Sequence, residues 1–165
     1  MKMKSSTLGI AHDQVEPLHL EVYHNPENGF RGLICHQSFG KGEVISAFSA
    51  QQELTEPNYL TVQISAKKHI ILHPNKLECV NHSCKPNCFF NIETMTLDAV
   101  EDIEPGTELF FFYPSTEWDM EQSFQCHCGE DNCIGTIMGA KYLPISILKQ
   151  YDLSPYIQNC LAEGI

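Results

Sequence analysis

Three thiols fall within eight residues in Cys126-His-Cys-Gly-Glu-Asp-Asn-Cys133, a C-x-C-x4-C spacing. Thiolates so close together suit a single tetrahedral zinc, which takes four soft ligands at about 2.3 Å. Gly129 lets the chain turn tightly inside the motif. The local triad leaves one coordination position open. A distant cysteine there would make a structural site, and water would make a catalytic one. Cys84, within Asn81-His-Ser-Cys-Lys-Pro-Asn87, is the foremost candidate, with Cys88 and His127 as alternatives. His127 sits between two ligands, so its side chain should point away from the metal. Cys35, Cys79, Cys88 and Cys160 read as small buried core residues.

The elements that must position these thiols are short. Leu18–Tyr23 alternates apolar and polar residues, as a half-buried strand does. Gly32–Cys35 and Glu43–Phe48 flank Phe39-Gly-Lys-Gly42, which has hairpin chemistry. Tyr59–Ile64 and His69–Leu72 are rich in β-formers, and further strands are expected at Cys88–Ile92, Thr96–Val100 and Glu108–Tyr113. Pro74–Cys79 reads as one helical turn, and helices are expected over Pro144–Tyr151 and Pro155–Ala162. Strands do not alternate with helices, which disfavours a parallel doubly wound sheet. The expected architecture is mainly β, with a metal knot and a short helical tail.

A chain of 165 residues with 42% hydrophobic and 19% charged residues has the composition of one ordinary domain. Its formal net charge of -11 opposes binding to phosphate backbones and favours basic partners. The two N-terminal lysines precede no apolar run, and no stretch approaches the ~20 apolar residues of a membrane span. An intracellular location is expected, cytoplasmic or, in a eukaryote, nuclear. Eight cysteines in such a compartment point to metal or catalysis more than to disulfides.

Three motifs stand in order: Asn81-His-Ser-Cys-Lys-Pro-Asn87, Glu104-Pro-Gly-Thr-Glu-Leu-Phe-Phe-Phe-Tyr113 and Phe124-Gln-Cys-His-Cys-Gly-x3-Cys-Ile-Gly135. Together they resemble the SET-domain lysine methyltransferases with a cysteine-rich post-SET segment. The resemblance implies small curled β-sheets around a pseudoknot, with a SET domain over 16–115, a post-SET zinc segment over 116–139 and a helical tail over 140–165. It implies transfer of a methyl group from S-adenosylmethionine (AdoMet), leaving S-adenosylhomocysteine, to a lysine of a basic protein. It also implies one structural zinc on Cys84, Cys126, Cys128 and Cys133. A monomer is favoured over an oligomer, with neither nucleic acid nor membrane as a direct partner.

By the same resemblance, Tyr113 matches the catalytic tyrosine. Asn81 and His82 match AdoMet-holding positions, His82 mainly through its backbone. Phe30, Arg31 and Gly32 correspond to the family's glycine motif, and Tyr113, Phe124 and Ile137 could also border the cofactor. Tyr59 and Phe111 would line the substrate channel, with Trp118 and Ile134 as packing residues nearby. Phe30, Phe48 and Phe112 stand where the family usually has a glycine, a tyrosine and an acid. A lysine is protonated at neutral pH, so the site must favour the neutral amine, by desolvation and by repulsion from the sulfonium. On a strand, Phe111 and Tyr113 share a face. The competing readings are a SET-like module that binds basic tails without turnover, and a nucleic-acid-binding zinc protein, which the acidic charge disfavours.

Overall fold

The computed structural model describes residues 17–165. The β body consists of three small antiparallel sheets. The first orders β1 (Leu20–His24), β2 (Arg31–Cys35) and β10 (Thr107–Glu108) as β1-β2-β10. In the second, β3 (Val44–Ala47), β9 (Thr96–Ala99) and β8 (Cys88–Asn91) lie in the order β3-β9-β8. The third sets β6 (Lys68–His73) between β4 (Ser49–Leu54) and β5 (Thr61–Ser65). Two further pairs organise the site: β7 (Asn81–His82) runs parallel to β11 (Phe110–Phe111), and β12 (Phe124–Gln125) pairs antiparallel with β13 (Thr136–Ile137).

Apolar residues from all three sheets meet in one core, where Leu33, Ile70, Phe90 and Leu97 lose all exposure. Burying one such side chain stabilises the fold by roughly 1.5–3 kcal/mol. A second, smaller core gathers Phe112, Trp118, Ala140, Leu148, Ile157 and Cys160. Adjacent residues therefore serve different cores: Phe111 faces the first and Phe112 the second. Helix α1 (Ile145–Leu148) and helix α2 (Pro155–Glu163) close the second core. The Ser154 hydroxyl caps α2 by accepting from the Ile157 amide at 3.4 Å, Pro155 opens the helix, and Gly164 ends it at φ 69°. No helix among the described residues is long and apolar enough to cross a membrane.

The mainly β architecture is as expected, with four differences in detail. Phe39–Gly42 does not join a hairpin, because β2 pairs with β1 and β10 whereas β3 pairs with β9. The expected strand over Glu108–Tyr113 breaks into β10, β11 and a 3-10 turn at Tyr113–Ser115, since each piece bonds to a different partner. The helix expected over Pro144–Tyr151 shortens to α1. Strands β4, β7, β12 and β13 are additional; the polar sequence of β4, Ser-Ala-Gln-Gln-Glu-Leu, reflects an edge strand with one neighbour and no buried face. Cys35, Cys79, Cys88 and Cys160 are all buried, as read.

Candidate functional site

The antiparallel pairing of β12 with β13 closes the loop that carries three thiols. Cys126 donates its amide to the Gly135 carbonyl at 2.7 Å, and the Gln125 side chain donates to the Thr136 hydroxyl at 2.8 Å. Cys84 reaches the same point from the end of β7, its Sγ 3.9 Å from that of Cys126. The Sγ atoms of Cys84, Cys126, Cys128 and Cys133 all lie within 4.8 Å of one another. Four sulfurs about 2.3 Å from one zinc would sit about 3.8 Å apart, so the cluster matches the tetrahedral geometry. Amides of Ile134 and Cys128 point at Cys84 Sγ and Cys126 Sγ, each at 3.4 Å.

Burial holds the Cys84 thiol far above its ordinary value and that of Cys126 at about 11. Burial also raises Cys128, but backbone hydrogen bonds with Cys84 and Glu130 outweigh it and bring the group to about 7. A divalent cation would reverse this balance and ionise all four. Of the alternatives for the fourth ligand, Cys88 lies in the main core, donating to the Phe110 carbonyl, and His127 is exposed.

Two residues not singled out from sequence secure this corner. Asn132 and the Tyr151 hydroxyl each donate to the Cys84 carbonyl at 2.8 Å. The Tyr151 ring stacks on Phe112 at 3.7 Å and 6°. Phe112, where the family usually has an acid, thus fills the second core beneath the metal loop. The only signal for Tyr151 in the sequence was its place at the end of a helical segment.

The β1–β2 turn meets β7 beside this corner. Asn81 donates its amide to the Arg31 carbonyl at 2.7 Å and reaches Glu108 Oε1 at 3.4 Å. Tyr23 donates to the other oxygen of Glu108 at 2.9 Å. A β-carbon at Gly32 would overlap the Tyr23 ring and the Glu108 carboxylate, so packing in the β body already demands this glycine. Phe30 is 71% exposed and Phe124 36% exposed, and both leave aromatic surface that a purine could stack on. Arg31 is exposed beside Phe30. Ile137 has no exposed surface and pairs with Phe124 across the ribbon.

His82 is the hub between the metal corner and the tyrosine. Its Nδ1 accepts the Tyr113 amide at 3.2 Å, and its Nε2 lies 3.5 Å from Cys84 Sγ. Burial pushes its pKa down to about 4, so the ring is neutral at pH 7. Ring centroids of Tyr113, Phe112 and Phe124 lie 5.3, 5.6 and 5.8 Å away. This ring role was not legible beforehand, although residues 82 and 84 share one side of an extended segment.

Tyr113 borders a cavity of about 280 Å³. Its inner wall is apolar, with Leu72, Leu77, Val80, Phe90 and Phe111. Phe111 and Tyr113 do face the same space, with centroids 4.6 Å apart, even though Tyr113 begins a 3-10 turn. The Tyr113 hydroxyl donates to the Val80 carbonyl at a long 3.4 Å. Burial, then the charges of Glu117 and Cys79, push the phenol well above its ordinary range, so it remains a neutral donor. Tyr59 is 83% exposed at the mouth rather than inside the channel. Trp118 belongs to the second core. Glu117, buried in the cavity wall, went unnoticed in the sequence, where one more acid among 21 carries no signal.

With this geometry established, comparison with known proteins adds three findings. The model of the SET domain family matches residues 30–114. The methyltransferase FlvH of Aspergillus flavus is 37% identical over 123 residues, 73% of this chain and 68% of that protein. An H3 lysine-36 specific histone-lysine N-methyltransferase of Mycosarcoma maydis is 34% identical over 96 residues, 52% of this chain but only 10% of that protein. Among solved structures, KRYPTONITE in complex with mCHG DNA and SAH superposes with a TM-score of 0.55 at 22% identity, over 71% of this chain and 28% of that one. That likeness concerns the fold.

Proposed function

We propose that this chain, which belongs to the SET-domain methyltransferase family, methylates a lysine of a basic protein. AdoMet, when bound, supplies an electrophilic methyl group on a positively charged sulfur. The residues around the β1–β2 turn and β7 fit such a group: exposed aromatic faces at Phe30 and Phe124 for the purine, and the side chains of Arg31 and Asn81 with the His82 backbone for the amino-acid part. Gly32 leaves room for the Tyr23 ring and the Glu108 carboxylate against β2. Phe111 and Tyr113 flank the channel by which an amine would approach, and Tyr59 marks its entrance.

One observation carries the reading. The parallel β7–β11 pair sets Asn81 and His82 directly beside Phe110 and Phe111, and the chain then delivers Tyr113 to the wall of an apolar cavity. Tyr113 there would orient the amine through its hydroxyl, and alignment of reacting groups is the main contribution an enzyme can make to such a transfer. The four thiols would hold one structural zinc, fixing Phe124 against His82 and Tyr113. The net charge of -11 would draw in a basic substrate. Two relatives are named for lysines of histone H3, which makes a histone-like tail the first substrate to try.

Two measurements test the reading. Calorimetry should detect AdoMet binding that Asn81→Ala weakens at least tenfold. Labelled AdoMet with a core-histone mixture or a whole lysate should then yield methyl-lysine by mass spectrometry. A protein that binds basic peptides yet neither binds AdoMet nor transfers methyl groups would instead be a non-catalytic SET-like module.

A further inference from the structure

Glu117 is a buried carboxylate in the wall of a channel whose inner part is apolar, and nothing assigned so far uses it. It is 7% exposed and borders the cavity with Tyr113 and Met120. Its Oε1 accepts the Gln63 amide at 2.8 Å and the Thr116 hydroxyl at 3.1 Å. No hydrogen bond reaches Oε2 among the described residues, and that oxygen is not sealed from the cavity. An ionised carboxylate has room for about four donors, so half its capacity is free.

The placement is enforced. The Gln63 side chain accepts the Trp118 amide at 2.9 Å and donates to the Ser65 carbonyl at 3.1 Å, so β5 clamps residues 117 and 118 by backbone and side chain alike. The Glu117 amide donates to the Tyr113 carbonyl at 3.0 Å. The other titratable groups lining the space are Glu78 and Tyr113 beside the inner wall, with Tyr59 and Glu121 toward the mouth. Cys79 lies behind Tyr113, and neither lysine nor arginine lines the cavity. A buried charge without a counterion is costly, so an ionised Glu117 here favours a cationic neighbour.

We infer that Glu117 is the ammonium-binding group of the channel, whose free oxygen receives the substrate amine as a cation and takes one of its protons, leaving a neutral amine beside Tyr113. This deepens the methyltransferase reading and rests on it. In the step, one N–H bond breaks and its electron pair stays on nitrogen as the lone pair. The proton bonds to Oε2 and passes to water at the mouth when the product leaves. Burial raises the Glu117 pKa to about 7 against the opposing bonds from Gln63 and Thr116. At neutral pH the group can thus both carry the charge that captures an ammonium and accept a proton from it.

The test needs no known protein substrate. Full-length protein saturated with S-adenosylhomocysteine is titrated at pH 8 with n-butylammonium, which mimics a lysine side chain, and with uncharged n-butanol, both followed by NMR. The wild type should prefer the amine at least tenfold. Glu117→Gln, which keeps the Oε1 acceptor, should lose that preference while staying folded and retaining its n-butanol affinity, and Glu117→Asp should recover part of it. An amine preference that survives Glu117→Gln, or none in the wild type, overturns the inference. Should Glu117→Gln fail to fold, the wild type alone decides: amine affinity must fall as the pH drops below about 7 while the affinity for n-butanol holds. A protein that does not bind S-adenosylhomocysteine at all would refute the methyltransferase reading instead.

Discussion

In the β body, Leu33, Ile70, Phe90 and Leu97 are sealed from solvent by side chains drawn from three sheets. From residue 121 to residue 133, by contrast, not one residue is buried. The body is held by apolar area and strand pairing. The metal loop has only a short ribbon, a few turn hydrogen bonds and four convergent sulfurs. A region without a core cannot offset the entropy of ordering its backbone, and a metal on the four sulfurs would supply that order. The two regions meet at His82, whose ring touches the loop through Phe124 and Cys84 and the body through Tyr113.

Removing the metal should break this contrast most sharply. Structural zinc contributes on the order of 10 kcal/mol to folding. After chelation, amides of residues 124–139 should exchange nearly as fast as in an unfolded chain while β8 and β9 stay protected, and AdoMet affinity should fall. Uniform loss of protection, or none, would show that the regions are not built differently. The mirror experiment is Phe90→Ala, which should cost the body about 3–5 kcal/mol in a denaturant melt and leave the zinc stoichiometry at one per folded chain. Tyr113→Phe keeps the ring among Phe111, His82 and Phe124 and removes only a weakly bonded hydroxyl. Turnover should drop at least a hundredfold with melting temperature and AdoMet affinity nearly unchanged; wild-type activity in this variant would remove Tyr113 from the catalytic role.

A smaller effect tests the seam between the regions. Glu117 has a folded pKa of about 7, above its ordinary 4.5. Its contribution to stability is fully present below pH 4.5 and is lost as the pH rises through 7. The loss is on the order of 3 kcal/mol. Urea midpoints of wild type and Glu117→Gln should therefore converge near pH 5, and the variant should be the more stable near pH 8. Parallel curves would mean that the carboxylate is not held in apolar surroundings. The smallest expected change is in product. Phe111 has no hydroxyl to anchor a water in the channel, so dimethyl or trimethyl lysine should form, and Phe111→Tyr should shift the output toward monomethyl. Monomethyl product alone from the wild type, under excess AdoMet, would refute this.

The thiol cluster was legible because ligand spacing is a local property. The C-x-C-x4-C triad supplied three of its four sulfurs, and an asparagine-histidine-serine-cysteine motif supplied a fourth that spacing alone left open. Helix α2 was legible for the same reason, since serine and proline at one end and glycine at the other act on their own turns. Strand β4 was not, because its pattern is that of an edge and its pairing with β6 is a tertiary fact. The ring of His82, the grip of Tyr151 on Cys84 and the burial of Glu117 depend on partners 31, 67 and 54 residues away, which no local pattern encodes. The roles proposed for Asn81 and Tyr113 came from motif order, and geometry added the bonds that connect them.

Asn81, His82 and Cys84 are sequence neighbours, yet each depends on residues made later: Phe110 for the strand pair, Tyr113 for the imidazole, Cys126 to Cys133 for the thiol. A ribosome adds roughly 5–20 residues per second, so about 1–5 seconds pass between the emergence of the first partner and the last. Within that interval the β7–β11 pair and Tyr113 can settle first. The thiol cluster closes last, after Cys133 has left the exit tunnel.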